Sequence, residues 1–250
     1  IIALSESPKK EGLLFVGTDD GLLQITEDNG KSWKRIDKFP TVPETTFVSD
    51  LVASMHDENR LFITFNNHKA GDFKPYVLRS DDRGNSWVSI VGNLPTDEPV
   101  WCLIEDHINP NLLFLGTEFG LYTSTDGGKK WLKLSAGLPP AAIRDLDIQQ
   151  RENDLVIGTF GRGIYIIDDY SPLRTVTEDL SLNEAKIFPI KDALMFIEEE
   201  MYGRRALGDD FYRAENPAFG AVFTYYLRDS YKTKKQIRKD KEKKDIDEGR

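Results

Sequence analysis

The 250-residue chain is poor in the residues that most often carry chemistry: one cysteine, three histidines and three methionines. A lone cysteine closes no internal disulfide. Cys102 lies in the apolar run VWCLIE and reads as a small buried hydrophobe rather than a reactive thiol. His56, His68 and His107 are far apart in turn-like segments, and no C-x-x-C or H-x-x-x-H spacing occurs, so no metal site is expected. GRG at Gly161 and DGGKK at Asp126 lack the spacing of a phosphate loop, and there is no G-x-S-x-G elbow. No motif calls for a cofactor. No apolar run approaches the ~18 residues of a membrane helix. Positive charge is in deficit, with a net charge of -9, so nucleic acid is not an expected partner. Helical periodicity is missing over any long window before about residue 190. The opening IIALSESPKKEG has neither an initiator methionine nor a basic leader and reads as the middle of a longer polypeptide.

What the chain does have is a repeat. Four apolar runs line up: LLFVGT from Leu13, LFITF from Leu61, LLFLGT from Leu112 and LVIGT from Leu155. Each follows a turn-rich segment and precedes a second strand-like run, GLLQIT, YVLRS, GLYTS and GIYII. A further apolar segment lies upstream of the last three, and proline-bearing connectors such as FPTVPE and AGLPP separate the units. Four short β-rich runs recur with a period of about 42 to 54 residues. That spacing predicts an all-β fold of four-stranded antiparallel β-propeller blades.

Three of the units carry one more signature, TEDNGKSWKRI from Thr26, SDDRGNSWVSI from Ser80 and STDGGKKWLKL from Ser124. Between a third and a fourth strand this is a hairpin turn. Asp28, Asp82 and Asp126 accept bonds from nearby backbone N–H groups, as Asx turns do. Gly30, Gly84 and Gly128 supply the left-handed conformation. Thr26, Ser80 and Ser124 are expected to bond across the hairpin. Trp33, Trp87 and Trp131 open the outer strand and bury a ring between sheets. Three copies at matched places argue for a fold-holding device, because one active site does not need three.

The pattern S/T-x-D-x-G-x-S/T-W resembles the Asp-box, or BNR repeat; the third copy departs at Lys130, where the hydroxyl residue is missing. Such repeats occur in sialidases, xyloglucanase-like glycosidases, sortilin-type receptors and photosystem assembly factors. The resemblance covers roughly residues 1–170 and speaks to fold far more than to function. In the fourth unit IDDYSP stands where the Asp-box should come, and GTFGRGIYIIDDYSPLR from Gly158 resembles the end of the propeller in large bacterial sortilin-like (Vps10-like) BNR-repeat proteins. ENPAFGAVFTYYLRD from Glu215 resembles the start of the immunoglobulin-like domain that follows there. The resemblance therefore implies closing blades over 1–175, a junction over 176–214 that packs on the propeller, and over 215–250 the first strand of a β-sandwich with a charged insertion. It also implies further blades and the rest of the sandwich in the same polypeptide, and an extracytoplasmic protein. The mixed-charge tail from Arg228 reads as a solvated helix or a linker.

Functional residues are harder to name. Propeller ligands usually bind at a channel mouth lined by first strands and their loops. By that logic Asp50, Glu105 and Asp145 are the candidate catalytic carboxylates, with Asp50 and Asp145 at matched places in SDL and RDL. Arg144 and Arg162 are the candidate anion-binding residues; two arginines do not make a sialidase triad. MYGRRALGDDFYRAENP from Met201 reads as a polar loop against the propeller. Two readings follow. One is a non-catalytic scaffold or binding module that takes a protein, peptide or glycan on its face. The other is part of a glycoside hydrolase, which needs two carboxylates roughly 5 to 10 Å apart. An intracellular assembly factor is a third, less suited to a trailing β domain.

Overall fold

The computed structural model describes residues 1–135, 137–193, 195, 197 and 219–248. The polar loop expected from Met201 and the segment 215–218 lie outside the described residues. Two compact units are present, Ile1–Val176 and Thr177–Arg250.

The first unit is a row of antiparallel sheets in chain order. The first sheet holds β1 (Ala3–Glu6), β2 (Leu14–Gly17), β3 (Leu23–Thr26) and β4 (Lys34–Ile36). The second holds β5 (Phe47–Ala53), β6 (Leu61–Asn66), β7 (Tyr76–Ser80) and β8 (Val88–Ser89). The third holds β9 (Val100–Glu105), β10 (Leu113–Thr117), β11 (Gly120–Ser124) and β12 (Leu132–Leu134). Each sheet is a plain meander of neighbouring strands, the arrangement of a propeller blade. The fourth has only β13 (Ile143–Gln149), β14 (Asp154–Thr159) and β15 (Ile164–Ile167). The expectation of four strands per blade fails here for a local reason. With IDDYSP in place of the Asp-box there is no turn to bring the chain back, and Ser171–Thr175 forms a short 3-10 turn instead.

Successive sheets face one another through apolar layers, because alternate side chains of a strand point to opposite faces. Phe15, Leu23 and Ile25 of the first blade meet Leu51, Ile63 and Leu78 of the second. Phe62 and Val77 meet Leu103 and Leu115 of the third, and Phe114 and Leu121 meet Leu146 and Ile157 of the fourth. Each fully buried large apolar side chain contributes about 1.5–3 kcal/mol. First strands lie side by side, so little room is left at their contacts. A Cβ on Gly116 would come within 2.5 Å of Cys102 Sγ and 2.9 Å of Ile143 Cγ2. Cys102 is buried there, and desolvation pushes its thiol well above the usual range.

The exit from the last blade is pinned electrostatically. The Asp106 carboxylate, fully buried, accepts Tyr170 Oη at 2.6 Å and both Arg174 Nε and Nη2 at 2.8 Å. Burial alone would raise this acid; the Arg174 and Tyr170 hydrogen bonds outweigh it and hold Asp106 below its usual range.

In the second unit β16 (Ala185–Ile187) pairs antiparallel with β17 (Tyr225–Leu227). The charged tail is helical: α1 (Lys234–Asp247) starts at Thr233, whose hydroxyl accepts the Gln236 N–H at 3.2 Å. No buried residue occurs along α1, consistent with a solvated helix. Among the described residues no helix is long and apolar enough to cross a membrane.

Candidate functional site

The three Asp-boxes are closed on themselves. In the first, Thr26 Oγ1 donates to Asp28 Oδ1 at 2.8 Å and accepts Gly30 N–H at 2.8 Å, while Asp28 takes Ser32 N–H at 2.9 Å and Ser32 Oγ at 2.6 Å. The second repeats this with Ser80, Asp82, Gly84 and Ser86. The third uses Ser124, Asp126 and Gly128, and Asp126 is served by the Lys129 and Lys130 backbone N–H groups at 3.0 and 2.9 Å. The leading hydroxyl thus bonds inside the loop rather than across the hairpin, because the turn folds the Gly N–H back onto it. Hydrogen bonds from Ser32 and Ser86 hold Asp28 and Asp82 down at about 2. The motif's aspartates and leading hydroxyls are spent on the turn itself, which leaves little of them for a ligand.

The tryptophans differ from one another. Trp131 is 2% exposed and its Nε1 donates to Ile90 O of the preceding blade at 2.8 Å. Trp87 packs edge-on to Phe39 at 5.4 Å between the first and second blades. Trp33 is 44% exposed and bonds only to Gly30 O of its own turn, so the expected burial fails in the first blade.

The opposite rim, where the first strands begin, is built from β-bulges. The register of β5 skips from Val48 to Asp50, that of β9 from Val100 to Cys102, and that of β13 from Ile143 to Asp145. The extra residues are Ser49, Trp101 and Arg144. A bulge re-aims the side chain it carries. Trp101 Nε1 donates to Glu118 Oε2 at 2.7 Å. The Arg144 guanidinium lies 3.4 Å from the Trp101 ring centre and 5.0 Å from that of Phe160. Among the described residues its nearest carboxylate oxygen is Glu118 Oε2 at 3.9 Å, too long for a hydrogen bond. Stacking orients the guanidinium while its N–H edge stays available. His68 stands 5.3 Å from Trp101, and Lys69 lies 5.6 Å over Phe47. Phe73, Phe119 and Phe160, one from each hairpin joining the second and third strands of blades two to four, are exposed. Arg162 is exposed in the same hairpin as Phe160, between Gly161 and Gly163 with φ of 76° and 81°.

The candidate carboxylates are placed differently. Asp50 Oδ1 accepts Leu51 N–H at 2.8 Å and Oδ2 accepts Leu103 N–H at 3.0 Å, so this side chain ties the second blade to the third. Desolvation pushes it up to about 7. Glu105 is buried at the far end of β9, where Oε2 accepts Ser54 Oγ at 2.7 Å and Met55 N–H at 2.8 Å; burial raises it. Asp145 is exposed and accepts its own Leu146 N–H at 2.9 Å. The histidines are less scattered than their positions imply, since His56 Nε2 lies 2.7 Å from Asp106 O, next to His107. Among the described residues no group of three or more His, Cys, Asp or Glu could hold a metal ion.

Sequence reasoning named Arg144 and Arg162 but missed Trp101, Glu118 and Phe160. Trp101 follows PV and Phe160 precedes GRG, and neither signal marks a bulge or a rim position.

No family model and no curated protein matches the sequence. Solved structures do. A GH74 enzyme from Niastella koreensis superposes with a TM-score of 0.54 at 14% identity over 68% of this chain and 29% of that one. The GH74 xyloglucanase from Xanthomonas campestris gives 0.51 at 15% identity over 67% and 29%. YCF48 bound to D1 peptide gives 0.50 at 16% identity over 68% and 51%. The chain spans between 29% and 51% of the length of these three proteins. At such identities the likeness establishes the fold: these sheets are β-propeller blades.

Proposed function

We propose that this chain is part of a non-catalytic, extracytoplasmic β-propeller module of Asp-box type, and that it binds a protein, peptide or glycan on the rim carrying Trp101, Arg144 and Phe160. The stacked Arg144 with its open N–H edge, set among exposed aromatic rings, carries the reading. The placement of the acids supports it. Hydrolysis of a glycosidic bond needs two carboxylates facing one substrate. Asp50 and Glu105 are turned into the protein and committed to backbone and hydroxyl donors.

The test is a binding screen of the chain against immobilised peptides and glycans, run beside hydrolysis assays on xyloglucan and sialylated substrates. Capture that Arg144→Ala or Trp101→Ala reduces at least tenfold, with the thermal transition unmoved by Arg144→Ala, is expected. Turnover abolished by Asp50→Asn or Asp145→Asn would replace the binding reading with the hydrolase one.

A further inference from the structure

Phe47 at the head of β5, Trp101 in the bulge of β9 and Arg144 in the bulge of β13 form a ladder across the second, third and fourth blades. Lys69, from the hairpin between β6 and β7, completes it at one end. The Lys69 ammonium lies 5.6 Å from the Phe47 ring centre, Phe47 lies 6.5 Å from Trp101, edge to face, and the Arg144 guanidinium lies 3.4 Å from Trp101. A cation thus stands at each end, with two rings between. None of these side chains lies on the outer face of an end sheet, since Arg144 turns back onto the ring of the third blade.

The two cations are treated differently from those of the Asp-box rim. There Lys10 bonds Glu27, Arg83 bonds Glu27 and Glu58, and Arg60 and Arg79 share Asp81. Among the described residues Lys69 and Arg144 hydrogen-bond no carboxylate, in a chain with 42 acids to 33 lysines and arginines. Glu118, the acid beside Arg144, is committed to Trp101 Nε1 at 2.7 Å and holds the ring in place. Stacking uses none of a cation's N–H groups, so both ends of the ladder keep open donors at a fixed separation. Exposed phenyl rings flank it: Phe73 in the hairpin of Lys69, and Phe119 next to Glu118. These rings suit apolar side chains better than sugars. A sugar stacks on an open ring face and bonds its hydroxyls to polar atoms, whereas a face of Trp101 is covered by Arg144 and a phenyl has no polar atom.

We infer that this ladder docks an extended acidic peptide, with one side-chain carboxylate on Lys69, a second on Arg144 and apolar neighbours against the phenyl rings. The inference rests on the binding reading above and names its ligand class. The ladder's length matches about four residues of extended chain at roughly 3.3 Å each, and residues four apart face the same side. Arginine and tryptophan at the centre of such a patch are the residues that most often carry a peptide's binding energy.

Fluorescence polarisation of the chain with labelled synthetic peptides tests this. The probe is an unstructured peptide with two glutamates four residues apart and leucines beside them; its controls carry glutamine or lysine at those two places. The glutamate peptide should bind about tenfold tighter than either control and weaken as salt rises. Lys69→Glu, a change at an exposed side chain, should weaken it about tenfold, and replacing one of the two glutamates by lysine should restore binding to that variant. A Lys69→Glu variant that binds as before, or that the lysine swap does not restore, would overturn the inference. So would equal binding of the glutamine peptide, or capture of polygalacturonate and of none of the peptides; if Trp101→Ala abolishes that capture, the binding reading stands without its acidic peptide. A chain that captures nothing offered, or whose capture survives both Trp101→Ala and Arg144→Ala, would overturn the two together.

Discussion

Trp131 and Trp33 occupy the same place in the same motif, yet one ring is enclosed and bonded to the neighbouring blade while the other lies half open. Asp50 and Asp145 make a second such pair, one half-buried and doubly bonded, the other exposed with a single bond to its own strand. A blade repeat therefore fixes geometry, but a residue's energetic role comes from whether a next blade covers it. The largest expected effect follows from that. Trp131→Ala opens a cavity in a closed junction and should cost about 3–5 kcal/mol in urea unfolding; Trp87→Ala should approach this, and Trp33→Ala should stay below about 1 kcal/mol. Equal losses for Trp131 and Trp33 would mean that the ring of Trp33 is covered in solution.

The junction between the third and fourth blades adds a charge test. Asp106→Ala leaves the Arg174 guanidinium, 13% exposed, without its carboxylate and should cost about 3–5 kcal/mol. The double variant with Arg174→Met should recover part of that loss, since removing both charges removes the uncompensated one. A double variant less stable than Asp106→Ala would show that Arg174 acts by packing rather than by its charge.

Much of this architecture was legible in the chain itself. The LLFVGT-type runs, the turn-rich gaps and the three Asp-boxes predict four-stranded blades, and of the two readings of the charged tail from Arg228, helix or linker, α1 is the helix. What was not legible depends on register. A bulge is one extra residue in a strand, and nothing in SDLV, WCLI or RDLD marks it. Without the bulges, Trp101 and Arg144 alternate with their neighbours like any strand residues, and their stacking cannot be foreseen. The missing fourth strand of the last blade was half visible, because IDDYSP announces the loss of the Asp-box but not the 3-10 turn that replaces it. The acids misled for a physical reason: a carboxylate on a first strand suits a ligand site and a blade-to-blade tie equally well, and only the position of the Leu103 N–H separates the two for Asp50.

Asp50 and the Asp-box acids Asp28 and Asp82 give opposite responses to pH, and the smallest prediction rests on the difference. Asp50 is raised to about 7, so folding favours its protonated form. Its stabilising contribution is complete below the ordinary aspartate range near 4, is lost as pH rises toward 7, and is constant above that. Glu105, raised by burial, adds a loss of the same sign. Asp28 and Asp82 are lowered to about 2 by their turn bonds, so their contribution is complete above about pH 4 and is lost as pH falls toward 2. Both lie partly open at the surface of their turns, and water screens the second effect to the smaller of the two. The melting temperature of the chain should therefore peak near pH 4 to 5 and fall on both sides. Asp50→Asn should flatten most of the alkaline limb and leave the acidic limb untouched, because an amide keeps the acceptor for Leu103 without the buried charge. An alkaline limb that survives Asp50→Asn would place the buried charge elsewhere, with Glu105→Gln the next variant to measure.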